Sequence, residues 1–206
     1  MICAIVLAAG RSRRMGTQKL LLPFAQSTVI ARVVDAFLGA PVDQVIVVVR
    51  PRHKRLRDAL AGRPVTFVEN PDAAGDMLNS VRCALKALPQ TFETIVVSPG
   101  DQPSIEPSLI REMLAAFRAS TRNILVPVHN GHRGHPLVFG GHYRDELLTS
   151  YEGIGLRGLL QTHAADVREW LTNDAAVLED LDTPAAFRRA QRRARPKSRK
   201  SAASRC

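Results

Sequence analysis

Two short stretches of this chain concentrate the residue types that handle phosphate. The first is Leu7-Ala-Ala-Gly-Arg-Ser-Arg-Arg-Met-Gly-Thr-Gln-Lys19, which gathers Arg11, Arg13, Arg14 and Lys19 with no acid between Gly10 and Lys19. Like charges this close repel one another, so the arrangement favours a polyanion held among them. Gly10 follows an apolar run, and a residue without a side chain lets the backbone approach a ligand closely. An exposed turn with solvated arginines is the competing reading. The segment is not a Walker loop, which would need Gly at 15 and Lys at 16 where the chain has Met15 and Gly16, and it is not G-x-G-x-x-G. The second stretch is Pro99-Gly-Asp101-Gln-Pro103. A carboxylate held there by a tight turn suits Mg²⁺, which takes one or two carboxylates together with phosphate oxygens. The alternative for Asp101 is a cap on the helix that starts near Glu106.

Both stretches fall where strands are expected to end. Continuous apolar runs at Ile2–Leu7 and Gln44–Val49, with shorter ones at Val65–Val68 and Thr94–Val97, read as strands of a sheet buried on both faces. Helical spacing lies between them, over Thr28–Phe37, His53–Leu60 and Met77–Leu88, the last with Leu78, Val81, Leu85 and Leu88 on its inner side. A helix near 106–119, a strand over Asn123–Val128 and an extended segment Pro136–Phe139 follow. Helices near 141–149 and 155–163 and a short strand at Val167–Leu171 come next. Thr183 is placed to cap a last helix beginning at Pro184. This β-α-β rhythm predicts an α/β fold, an open and mostly parallel Rossmann-like sheet with helices on both faces. In such sheets ligands bind at the carboxyl ends of the strands, where the two phosphate-handling stretches lie.

Composition narrows the function classes. Of 206 residues, 29 are Lys or Arg and 19 Asp or Glu, a formal net charge of +10. Nine of the cations (Arg188, Arg189, Arg192, Arg193, Arg195, Lys197, Arg199, Lys200 and Arg205) lie in residues 188–206, which hold no acid, so residues 1–187 carry only +1. A nucleic-acid binder usually spreads its cations over a folded face with aromatics among them, and no aromatic follows Phe187. The expected organisation is a single domain over 1–187 and a basic tail over 188–206, low in complexity and disordered after 196. Cys3, Cys83 and Cys206 are too few and too scattered for a disulfide framework or a zinc site, which fits a reducing cytoplasm. The first apolar run lacks a cationic leader, and no apolar stretch approaches the ~18 residues a membrane helix needs. No nucleic-acid or membrane partner is expected.

The run LAAGRSRRMGTQKLLLPF resembles the signature loop of the MobA-like nucleotidyltransferases, L-A-[AG]-G-x-S-x-R-M-G-x-x-K-x-L. Within that superfamily the chain is most similar to the molybdenum cofactor cytidylyltransferases. The segments NPDAAGDMLNSV (70–81), SPGDQPSI (98–105), GHRGHPLVFG (131–140), GLRGLL (155–160) and DLDTPAAF (180–187) carry that narrower match, in the family's order over residues 2–187. The fold implied is that of the nucleotide-diphospho-sugar transferases. The resemblance implies that the backbone of Leu7, Ala8, Ala9 and Gly10 cradles the nucleotide, with Arg11 beside it, and that Arg14 and Lys19 hold the triphosphate as pyrophosphate leaves. It makes Asp101 the ligand of a catalytic Mg²⁺ and Asp182 a second ligand. Ser80, with backbone from 70–76, would line the base pocket, and Ala9, where the guanylyl branch has Gly, points to CTP. The chain departs from the family at Asp76-Met77, where Gly-Met is usual and Gly75 stands one place early.

The activity implied is transfer of CMP from CTP to molybdenum-loaded molybdopterin with release of pyrophosphate. Arg133 and His135 of the Gly/His-rich segment, with Arg157 of Gly155-Leu-Arg-Gly158, would contact the acceptor, and His132 less directly. A turn with solvated side chains competes with that reading. A molybdenum hydroxylase is the implied partner. The alternatives are a guanylyl- or sugar-precursor-transferring relative and a chaperone that carries the finished cofactor.

Overall fold

A computed structural model describes residues 1–10, 18–72, 76–89 and 91–194. The core is a sheet in which strand β1 (Ile2–Leu7) is central, paired in parallel with β4 (Gln44–Val49) on one side and β6 (Thr94–Pro99) on the other. Beyond β4 lies parallel β5 (Thr66–Glu69). Beyond β6 lies β9 (Leu137–Gly140), which runs antiparallel both to β6 and to β7 (Ile124–His129), and β10 (Val167–Leu171) closes that edge parallel to β7. Two elements too short to leave a periodic signal were not expected. One is the hairpin β2 (Pro23–Phe24) and β3 (Ser27–Thr28); the other is β8 (His132–Arg133), antiparallel to β7.

β1 reads as uninterrupted apolar sequence because each of its faces meets a separate core. Ile2, Ala4, Val6 and Ala8 join one cluster with α1 (Val29–Leu38), α2 (Lys54–Ala59) and α4 (Pro107–Arg118). Cys3, Ile5 and Ala9 join the other with α3 (Met77–Ala87), α5 (Arg144–Thr149) and α6 (Leu156–Thr162). Alternate side chains point to opposite faces, so a strand covered on both sides cannot alternate in polarity. Thr28 caps α1, its side chain accepting from the Ala31 amide at 3.3 Å. Asp76 caps α3 in the same way, through Asn79 at 3.1 Å. Burial pushes the Cys3 thiol up to about 12, so it behaves as a small core hydrophobe.

The last helix, α7 (Pro184–Ala194), starts where Thr183 predicts, the Thr183 hydroxyl accepting from the Ala186 amide at 3.1 Å. It crosses the domain boundary expected at 187. Ala190 is fully buried in the first core cluster, and Gln191 donates to the Pro23 carbonyl at 2.9 Å. Residues 188–194 therefore pack on the domain, because the helix has small residues on one side although its other side is basic. The segment after 196 lies outside the described residues. Among the described residues no helix is long and apolar enough to cross a membrane.

Candidate active site

The chain leaves β1 for β4 and β5 on one side and returns through β6 on the other, so the crevice between the carboxyl ends of β1 and β6 is the switch point of the sheet. The two strand ends are bonded together there, the Gly100 amide donating to the Leu7 carbonyl at 2.9 Å. A Cβ at Gly100 would stand 2.9 Å from that carbonyl oxygen, so glycine is required for this approach. On the other side of β1 the Ala8 amide donates to the Val48 carbonyl at 2.8 Å. Ala8 and Ala9 are buried, and Gly10 then emerges exposed, with nothing within 4 Å of where a Cβ would stand. Arg11, Arg13 and Arg14 lie outside the described residues.

Lys19 begins a short 3₁₀ turn, Lys19–Leu21, anchored by the buried side chain of Leu20. Its ammonium reaches into the crevice and donates to Asp101 Oδ2 and, at 2.8 Å, to Asp182 Oδ1. The Lys19 and Asp101 side chains are 14% and 12% exposed, and Asp182 is more open at 39%. The chain brings Asp182 here by a backbone bond: Leu181, fully buried in the core, donates its amide to the Asp101 carbonyl at 3.2 Å. Burial alone would lower the pKa of Lys19. The hydrogen bond and charge of Asp101, followed by those of Asp182, outweigh it and raise the pKa instead. Asp101 is thus no helix cap: Glu106 occupies the N-cap of α4, and α4 has no side-chain cap bond.

The two carboxylates share one cation, and an ammonium between them is the natural stand-in for a metal bound by two carboxylates. Among the described residues no group of three His, Cys, Asp or Glu side chains could hold a metal by itself.

The sequence-predicted acceptor residues meet in a neighbouring cleft of ≈ 700 Å³, whose lining includes Arg133, Gly134, His135 and Arg157. His135 is held by its amide bond to the Val177 carbonyl at 2.9 Å. A Cβ on the preceding Gly134 would fall 2.2 Å from the same carbonyl oxygen. The Nδ1 of His135 is buried without a hydrogen-bond partner. Burial pushes the imidazole pKa down, against the opposing pull of Asp101, so the ring is held toward its neutral form beside the acidic centre. Arg133 is exposed and is paired with Glu169 of β10 at 2.8 Å. Arg157, also exposed, is the second residue of α6.

Ser80 stands apart from both groups. It is buried, and its hydroxyl accepts from the Asn70 side-chain amide at 2.9 Å, while Asn70 Oδ1 accepts from the Asp72 amide at 2.9 Å. Asn70 thereby braces the segment expected to face the base, although residues 73–75 lie outside the described residues. Sequence reasoning missed Asn70 as a side-chain partner, the pairing of Glu169 with Arg133, and the hold of Val177 on His135. Asn70 opens a quoted motif and was within reach. Glu169 and Val177 lie on elements whose neighbours only the folded sheet determines.

Residues 4–167 match the family described as MobA-like NTP transferase domain. The molybdenum cofactor cytidylyltransferase of Escherichia coli (strain K12) is 30% identical over 93% of this chain and 96% of its own length. The 2-C-methyl-D-erythritol 4-phosphate cytidylyltransferase of Prochlorococcus marinus (strain MIT 9313) is also 30% identical, over 87% of this chain and 85% of its own. A crystal structure of a Mycobacterium tuberculosis H37Rv protein in complex with manganese superposes with a TM-score of 0.78 at 30% identity, covering 93% of this chain and 98% of that one. With that match across most of its length, the chain belongs to the MobA-like NTP transferase family and is a nucleotidyltransferase.

Proposed function

We propose that this nucleotidyltransferase is cytoplasmic and moves CMP from CTP to a molybdopterin-type acceptor, releasing pyrophosphate, with Mg²⁺ as its metal. The observation that carries the reading is the Lys19 ammonium set between Asp101 and Asp182 at the switch point, next to a cleft that gathers Arg133, His135 and Arg157. Both cytidylyltransferase relatives and Ala9 support cytidine as the base. The E. coli relative supports the acceptor, and the manganese complex of the M. tuberculosis protein supports a divalent cation.

Asp101 and Asp182 would hold the cation, which when bound would supply charge neutralisation for the triphosphate. With the cation held by these two carboxylates, the Lys19 ammonium that now bridges them would turn its N–H donors to a triphosphate oxygen. Arg14 would share that load, and the backbone of Leu7, Ala8, Ala9 and Gly10, with Arg11, would cradle the nucleotide. Ser80, braced by Asn70, would back the base pocket. In the cleft, Arg133 and Arg157 offer cationic donors to an acceptor phosphate, and His135, held toward its neutral form, stands in the wall beside them. The acceptor's terminal phosphate oxygen forms a bond to the α-phosphorus of CTP as the bond to pyrophosphate breaks. The attacking oxygen is already anionic at neutral pH, so no general base is needed. Catalysis is positioning plus charge neutralisation.

The reading is tested by pyrophosphate release from CTP and from GTP, each with molybdenum-loaded molybdopterin and with methylerythritol phosphate. CTP with the molybdopterin acceptor is expected to dominate. Equal or faster turnover with GTP would remove the cytidine assignment, and faster turnover with methylerythritol phosphate would remove the acceptor. A second reading, a carrier that delivers the finished cofactor to a molybdenum hydroxylase, shares the same cleft and predicts retention of the product after turnover.

A further inference from the structure

One wall of the cleft is a turn hung between two helices. It follows α5 as Ser150-Tyr-Glu-Gly-Ile-Gly155 and leads into α6, with Gly153, Ile154 and Gly155 facing the cleft. Three of its residues have left-handed backbones: Tyr151 (φ 75°), Gly153 (φ 74°) and Gly155 (φ 72°). A non-glycine residue in that region costs of order 1 kcal/mol or more and persists only when its surroundings hold it. Internal bonds close the turn, the Ile154 and Gly155 amides both donating to the Tyr151 carbonyl at 3.2 and 2.9 Å. Those bonds shape the turn without fixing where it sits.

Its placement comes from Arg82 on α3. The Arg82 side chain is only 12% exposed; its Nε donates to the Leu147 carbonyl at 2.8 Å and its Nη2 to the Ser150 carbonyl at 2.7 Å. Its Nη1 lies 3.5 Å from Glu152. The guanidinium thus engages the carbonyl end of α5 and the first residues of the turn through one planar group, a task the point charge of a lysine cannot duplicate. Arg82 also stands on the helix that supplies Asp76 and Met77 to the same cleft and carries Ser80. A second anchor works from the other side: the Tyr151 hydroxyl donates to Glu146, and the Tyr151 ring packs against Gly158, where a Cβ would fall 2.2 Å from it.

We propose that Arg82 is a positioning residue for the second substrate, registering the turn 151–155 against the start of α3 so that the cleft keeps one width. The proposal rests on the cleft being the acceptor site. It touches no reacting atom, so it sets the acceptor's affinity and leaves the donor's alone.

The test compares Arg82→Lys, Arg82→Met and Tyr151→Phe with the parent enzyme. Tyr151→Phe keeps the ring against Gly158 and removes only the hydroxyl bond. Expected is a rise of about tenfold in acceptor KM for Arg82→Lys and more for Arg82→Met, with kcat and CTP KM within about twofold, the pattern of an interaction lost equally from ground and transition states. Amide exchange measured on the same variants without any substrate should speed up in 150–158 and stay unchanged at the ends of β1 and β6. Unchanged exchange in 150–158, or an equal loss in kcat and both KM values, would overturn the proposal. If the parent enzyme ignores the acceptor while Arg82→Lys still loosens only 150–158, the positioning role stands and the acceptor assignment falls.

Discussion

The two halves of the site are built on opposite principles. The half proposed for the donor is made at strand ends: Leu7, Gly100 and Asp101 are tied by backbone bonds, Leu181 is sunk in the core, and Lys19 is neutralised by two carboxylates. The half proposed for the acceptor is made of turns: Gly134-His135 hung on Val177, Arg133 half-exposed beside Glu169, and a glycine-flanked segment held by Arg82. Charge chemistry on phosphates demands fixed cations and anions at low exposure, where they cannot relax away from one another. Recognition of a second substrate tolerates a wall of loops that can be rebuilt without disturbing the sheet.

The largest effect should come from the donor half. Asp101→Asn is expected to lower turnover by about 10²–10³-fold or more, read as pyrophosphate release, with far-ultraviolet circular dichroism unchanged. Near-normal turnover would strip Asp101 of its role. Manganese titration of the same variant, without nucleotide, should show weaker binding.

Two glycine substitutions then separate building from binding. Gly134→Ala places a Cβ against the Val177 carbonyl and should destabilise the fold by about 1–3 kcal/mol, seen as a lower Tm, and disturb His135. Gly10→Ala meets nothing and should leave Tm within the scatter of an ordinary surface change, while raising the KM for nucleotide. A Tm loss in Gly10→Ala with normal nucleotide KM would mean that Gly10 serves the fold instead of the ligand.

A subtler difference is pH dependence. The Lys19 pKa is raised in the fold, so its contribution to stability is complete below the unfolded value near 10.4 and is lost as pH rises through the folded value. The Glu146 pKa is lowered, first by the Tyr151 hydroxyl and then by His163, against the opposing effect of burial, so its contribution is present above the unfolded value near 4.3 and is lost as pH falls through the folded one. The Lys19 contacts should therefore weaken in alkali and the Glu146 contacts in acid, while Tyr151, its pKa raised by burial and then by Glu146, weakens in alkali as well. Denaturant midpoints across pH check this: Lys19→Met should flatten the alkaline limb and leave the acid limb alone, whereas Glu146→Gln should flatten the acid limb.

Much of the sheet was readable because its strands are covered on both faces. β1, β4 and β10 occupy the residues that the apolar and β-branched runs predict, and Thr28 and Thr183 cap helices where capping chemistry puts them. β8 and the β2–β3 hairpin left no trace, since two-residue pairings have no period. The basic run at 188–194 looks like tail in the sequence because its charges hide a small-residue stripe, and Ala190 is buried there.

The sequence by itself determined which groups could do chemistry: a lysine after a glycine-bearing loop, an aspartate in a tight turn, and a second aspartate before the last helix. Those are local facts, set by residue type and spacing. Only the tertiary structure decided that Lys19, Asp101 and Asp182 meet, and that Arg133, His135 and Arg157 share a cleft. Lys19 and Asp182 are separated by 163 positions in the chain. The contact exists because the order of strands in the sheet and the bond from Leu181 to Asp101 bring those ends together. Strand order is set by how whole layers pack around two cores, and no window of sequence contains it.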